Sequence, residues 1–141
     1  MPEQTHSIII DTNLWISIII NKQFDFAEKL IISRKLIFCD ELLFELYNVT
    51  KRKNMQKYFD AEDIVLLFGI INKYSKFIKV TSTVDICRDK KDNFLLALAR
   101  ESKADYLITG DNDLLILKEF EGTKIIKITD YRKIIQEENI E

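Results

Sequence analysis

Carboxylates recur along this chain at the ends of apolar runs. Asp11 closes I-I-I-D-T-N, Glu45 stands in E-L-L-F-E-L, Asp92 in D-K-K-D-N-F-L-L-A-L-A, and Asp111 with Asp113 in Y-L-I-T-G-D-N-D-L-L. Acids far apart in sequence, each delivered by an apolar element, form a cage of hard oxygen ligands if they converge. Such a cage suits a divalent cation such as magnesium. Four or five carboxylates in one hollow repel one another, so without a cation some would take up protons.

Each acid also has a plainer explanation. Asp11 or Asn13 can cap the helix that follows, and Asp111 can do the same after Gly110. Asp113 then gains from the helix dipole. Asp89 can cap its helix while Asp92 favours the first turn. Glu45 follows Glu41 by one turn, so the two share a face, and either could be the acid that turns inward. Asp111-Asn112-Asp113 begins like an EF-hand loop, but Ile116 stands where glycine is required and Gly122 where glutamate is required, which excludes that motif.

Two basic groups flank these acids: Lys51, Arg52, Lys53 and Lys57 beyond the Glu45 helix, and Arg88, Lys90 and Lys91 just before Asp92. Such runs are commonly solvated faces. Beside a metal cage they would also supply countercharge to the phosphates of a bound strand. Trp15 and Tyr58-Phe59 could stack bases, although core packing explains them as well. No Ser-His-Asp or Cys-His arrangement, Walker loop or G-x-G-x-x-G is readable.

The elements that must position the acids alternate. Strands are expected at 7–10, 36–39, 77–80, 105–109 and 124–128. Helices are expected at 12–20, 24–34, 41–51, 60–74, 89–102, 111–117 and 130–138, with Leu42, Leu43, Leu46 and Tyr47 on the apolar side of the third. Strands alternating with helices indicate an α/β fold with a parallel sheet covered on both faces. In open sheets of this kind ligands gather at the carboxyl ends of the strands, where Asp11 and Asp111 both fall.

The 141 residues favour one domain, 1–141, with no linker or repeat. A composition 47% hydrophobic and 31% charged is globular, and no apolar run can span a bilayer. With no signal-like segment, a cytoplasmic location is the expectation. Cys39 and Cys87 then read as reduced, buried thiols, and two cysteines with one histidine disfavour zinc. The net charge of −2 argues against a broad basic surface, though clustered metal-binding acids would themselves lower it.

The order I-I-I-D-T-N, then E-L in a helix, D-x-x-D-x-x-L-L-A-L-A and A-D-Y-L-I-T-G-D-x-D-L-L resembles the PIN-domain nucleases, in particular the PIN-family toxins of bacterial toxin–antitoxin pairs. The resemblance runs from about Ile8 to Tyr131 and is most specific over Ala104–Leu115. It implies a three-layer α/β/α sandwich with a mainly parallel sheet. It also implies a magnesium- or manganese-dependent endoribonuclease that cleaves single-stranded regions of RNA. Its acids carry over to Asp11, Glu45, Asp92 and Asp111, with a further one at Asp113 and supporting polar positions at Asn13 and Thr109. On that basis Asp11, Asp92 and Asp111 would hold metal directly and Asp113 would complete the set, partly through water. Glu45 would ligate or orient the attacking water, while Arg88, Lys90, Lys91, Lys51 and Arg52 would bind substrate. A cognate antitoxin and a homodimer are further implications. Two rivals stand beside this. A strand ending in Asp11 and the later Gly110-Asp111 are similar to haloacid-dehalogenase-type phosphatases, although Asn13 occupies their acid–base position. A non-catalytic PIN-like binding module would use the acids only as caps.

Overall fold

The computed structural model describes residues 6–32 and 34–139. Strand β1 (Ser7–Ile10) is followed by helices α1 (Thr12–Ile20) and α2 (Phe24–Ile31), strand β2 (Lys35–Phe38) and helix α3 (Asp40–Lys51). A 3-10 helix (Lys53–Tyr58) leads into α4 (Ala61–Tyr74) and β3 (Ser75–Phe77). An extended segment then reaches α5 (Lys90–Ser102), β4 (Tyr106–Ile108), α6 (Asn112–Leu115), β5 (Glu119–Phe120), β6 (Thr123–Ile126) and α7 (Ile128–Asn139).

The strands form one six-stranded sheet in the order β3-β2-β1-β4-β6-β5. All pairings are parallel except β5 with β6. Helices flank the sheet in a three-layer α/β/α arrangement. The isoleucines of β1 and Leu36 to Phe38 of β2 are buried, as strands covered on both faces require. The run Ile18-Ile19-Ile20, β-branched enough for a strand, is helical because Ile18 and Ile19 reach the core while Ile20 turns outward.

The chain departs from β1 to one side through β2 and β3, then crosses to the other side through β4 and β6. The strand order therefore reverses between β1 and β4, which pair Ile10 with Ile108. A crevice opens outside the carboxyl ends of such strands.

Several boundaries differ from the sequence expectation. β3 ends at Phe77, since α4 runs directly into it at Ser75; the Ile78 N–H still bonds the Phe38 carbonyl at 2.9 Å. Strand β5 comes from the Glu121-Gly122 turn, where both residues take positive φ and close a tight hairpin. Neither residue pair nor strand length announces it. Tyr47, expected on the apolar side of α3, is exposed. Cys39 is buried, and burial pushes its thiol up to about 11, whereas Cys87 is half-buried. Trp15 lies in the core against Phe38, and Phe59 is buried while Tyr58 is exposed, so of the three only Tyr58 is accessible. Among the described residues no helix is long and apolar enough to cross a membrane.

Candidate metal centre at the sheet crevice

Asp11 and Thr109 leave the ends of neighbouring strands, and the sheet continues far enough to align them. The Asp11 N–H bonds the Ile108 carbonyl, and the Thr109 N–H bonds that of Ile126, each at 3.0 Å. Thr109 is fully buried, and its hydroxyl donates to Asp11 Oδ2 at 2.7 Å. The Thr109 hydroxyl oxygen in turn accepts the Asp111 N–H at 3.0 Å. The cap readings hold as well: Asp11 Oδ1 accepts from the Asn13 N–H, Asp111 Oδ1 from the Asp113 N–H, and Asp89 Oδ1 from the Lys91 N–H. Capping uses one oxygen of Asp111 and leaves the other for the crevice, so the two roles do not compete.

Helix α5 brings the next acid. Asp92, in its first turn, is 3% exposed, and its Oδ2 has no hydrogen-bond partner. Burial pushes its carboxyl up to about 7, and the Asp111 carboxyl adds to this, being close enough to share a proton. The charges of Asp111, Asp89 and Asp11 act in the same direction. Asp11 is also raised, chiefly by burial, with Glu45 and Asp111 contributing charge and the Thr109 and Asn13 hydrogen bonds opposing.

A hollow of about 290 Å³ is bounded by these groups. Asp11, Asn13, Asp92 and Asp111 line it, together with Glu41 and Glu45 of α3 and Asp89, Lys90 and Lys91 at the start of α5. Glu45 is the more buried of the two glutamates, and Lys91 pairs with it at 3.7 Å. Asn13 contributes its backbone N–H; its side chain makes no hydrogen bond among the described residues.

The acids subdivide. One carboxylate oxygen each from Asp92, Asp111 and Asp113 lie within 4.8 Å of one another, a spacing that admits a common cation. Asp11 borders the same hollow from the strand side without joining that tightest group. Asp113 lies beyond the lining, and Arg88 holds both of its oxygens at 2.9–3.0 Å. Lys51 and Arg52 do not line the hollow; they stand exposed at the far end of α3, about 15 Å along its axis from Glu41. The donor set is all oxygen, one buried oxygen of Asp92 is unpartnered, and burial, with neighbouring carboxylates adding, already raises two carboxyls. Those features fit a hard divalent cation rather than a soft metal.

One contributing residue has no counterpart in the sequence reading. Asn93 is buried, accepts the Ile86 and Cys87 N–H groups at 3.0 and 2.8 Å, and donates to the Cys87 carbonyl at 3.0 Å. It fixes the segment that carries Arg88 and Asp89 to the rim. The signal was available: Asn93 shares a helical face with the buried Leu96 and Ala97, a poor place for an unused amide. At the other end of that segment, the Glu101 carboxylate accepts the Thr81 and Ser82 N–H groups.

Residues 7–113 match the family model described as PIN domain. The chain belongs to the PIN domain family. That family is of nuclease type, typically metal-dependent and generally RNA-binding. The PIN domain is also similar to an uncharacterized protein of Methanocaldococcus jannaschii, MJ1680. The two are 31% identical over 132 residues, covering 87% of this chain and 81% of that protein. In fold it is similar to PAE2754 from Pyrobaculum aerophilum, with a TM-score of 0.62, 14% identity, and coverage of 94% of this chain and 99% of the other.

Proposed function

We propose that this PIN domain is a magnesium- or manganese-dependent endoribonuclease acting at the crevice between β1 and β4. The observation that carries the reading is the Asp92 carboxyl, buried with an oxygen that no protein donor satisfies and set beside Asp111 and Asp113. A buried acid in that position is costly unless a cation or a proton joins it.

In this reading Asp92 and Asp111 hold the cation, Asp11 closes the cage from the strand side, and Asp113 completes it once Arg88 is drawn to a phosphate. A cation held by these residues would lower the pKa of a bound water and polarise a phosphoryl oxygen. Glu45, opposite on α3, orients the attacking water and accepts its proton. Thr109 keeps Asp11 Oδ2 turned correctly. Arg88, Lys90 and Lys91 meet the backbone of a single-stranded or looped RNA at the rim, and Lys51 and Arg52 extend that path along α3. Hydrolysis leaves 5′-phosphate and 3′-hydroxyl ends. A role as the toxin of a toxin–antitoxin pair, restrained by a cognate antitoxin, follows the resemblance of the motifs and is part of the proposal.

The test is cleavage of a single-stranded RNA oligonucleotide with manganese, then with excess EDTA, by the parent and by Asp11→Asn and Asp92→Asn. Activity should require the metal and vanish in both variants. A variant as active as the parent overturns the assignment. One observation favours a non-catalytic binding module instead: Lys91 on Glu45 and Arg88 on Asp113 already neutralise two acids. A melting temperature unmoved by millimolar manganese would support that second reading.

A further inference from the structure

The helix that carries Glu45 runs on past the hollow. Glu41, Glu45, Asn48 and Arg52 follow one another at helical steps on a single face of α3, and Asn48 and Arg52 are exposed. Arg52 lies seven residues beyond Glu45, about 10 Å along the axis. Beside this track stand Phe44, 67% exposed, and Tyr47, 45% exposed, turned away from the buried Leu42, Leu46 and Val49. The 3-10 helix prolongs the same surface. Its Met55 N–H bonds the Arg52 carbonyl at 2.9 Å, and its last residue, Tyr58, is 42% exposed. Tyr47 meets the partly buried Phe68 edge-on at 6.1 Å, and none of the three rings belongs to the core cluster.

The charge of this surface has one sign. Residues 46–59 contain Lys51, Arg52, Lys53 and Lys57 and no acid, in a chain whose net charge is −2. All four are exposed, and none forms a salt bridge among the described residues. The cations at the hollow differ, since Lys91 is paired with Glu45 and Arg88 with Asp113. Lys51 and Lys57 instead hold their ammonium groups over the rings of Tyr47 and Tyr58, each at 5.1 Å. Solvation alone would account for the cations, but not for accessible aromatic rings set among them. Unpaired cations interleaved with exposed rings suit single-stranded nucleic acid, whose phosphates take the charge while its bases stack.

We propose that Tyr47 and Tyr58, with Arg52, Lys53 and Lys57, form a second, metal-independent subsite that stacks bases of single-stranded RNA and holds its phosphates beyond the hollow. A strand seated in the hollow passes Asn48 and reaches Arg52 without leaving this face of α3. A base that stacks on either ring takes the place of the lysine ammonium, which is then free to meet the adjoining phosphate. Every base has a π-face, so the subsite tolerates any sequence and responds to strand length instead. The inference rests on the nuclease reading for its substrate class, and on this surface alone for its affinity.

The test uses the full chain in EDTA, so that no metal-dependent cleavage intervenes. Fluorescence anisotropy with labelled oligouridylates should show a strand of about 16 nucleotides binding about tenfold or more tightly than one of about 4. Tyr58→Leu should weaken the longer strand about tenfold, whereas Tyr58→Phe, which keeps the ring, should bind like the parent. Both should retain the parent's far-ultraviolet spectrum. Lys53→Gln combined with Lys57→Gln should lessen the slope of log K against log salt by about 1.4. A longer strand that does not bind in EDTA overturns the proposal, even if the same face then takes up a protein. So does Tyr58→Leu binding as tightly as the parent, which would leave charge attraction only, or Tyr58→Phe as weak as Tyr58→Leu. The two readings fail separately. A chain that binds RNA through Tyr58 but never cleaves it with manganese defeats the nuclease reading and leaves the subsite standing. One that cleaves RNA but ignores Tyr58→Leu defeats the subsite alone.

Discussion

The Thr109 hydroxyl and the Asp11 carboxylate form a buried hydrogen bond of 2.7 Å across adjacent strand ends, 98 residues apart in sequence. Because that hydroxyl oxygen also accepts the Asp111 N–H, a single side chain sets the spacing of two acids. Thr109→Val keeps the shape and removes both bonds. Leaving a buried carboxylate oxygen and an N–H unpaired costs about 1–3 kcal/mol. Urea unfolding should show that loss, and metal-dependent cleavage should fall with it. Wild-type stability in the variant would mean that Thr109 is only packing.

The Asp92 carboxyl gives the metal-free protein a pH dependence of definite sign. Its folded pKa is about 7 and lies above the unfolded value of about 3.9. The folded state therefore holds the extra proton in that window, and stability falls as pH rises through it. Asp11, also raised, acts in the same direction. Asp92→Asn should be more stable than the parent in EDTA at pH 8, by about 1–3 kcal/mol, and indistinguishable near pH 4. Denaturant melts at both pH values decide it, and a parent that is more stable at pH 8 than at pH 5 refutes the assignment of Asp92 as the protonated acid.

Manganese should reverse that trend, because a cation bound only by the native state displaces the proton and adds stability. At a hundred times its Kd the gain is about 2.7 kcal/mol. Asp111→Asn should abolish the gain while leaving the metal-free melt within about 1 kcal/mol of the parent. Thermal melts with and without the ion make the comparison, and a full manganese response in Asp111→Asn removes that residue from the ligand set.

The Arg88–Asp113 pair is short but exposed, with the arginine side chain 87% accessible. Arg88→Ala should change folding stability by less than about 0.5 kcal/mol. If Arg88 meets a phosphate, RNA affinity should fall and the slope of log K against log salt should lessen by about 0.7. An unchanged slope in filter-binding titrations would leave Arg88 as a tether for Asp113.

Asn93 predicts a separate kind of loss. Asn93→Ala deletes three hydrogen bonds to the backbone of Ile86 and Cys87. About 2 kcal/mol of stability should go with them. Hydrogen exchange should quicken at those two amides before it does in β1 or β4. Uniform quickening across the sheet would show that Asn93 supports the whole fold and not this segment.

The sequence alone determined the alternation of elements and the acids that end them. β-Branched runs such as Ser7–Ile10 and the capping aspartates Asp60 and Asp89 are local signals, carried by neighbours a few residues apart. Asp11 and Asp111 were placed beside each other by the same logic, since strand ends on one edge of a parallel sheet share a side. The tertiary structure decided what spacing cannot express. It placed Thr109 between two acids and Glu45 deeper than Glu41. It tied Asp113 to Arg88, and it put Lys51 and Arg52 at a distance from the hollow. Each depends on contacts between residues remote along the chain, whose energies are set by burial and by the direction of one oxygen.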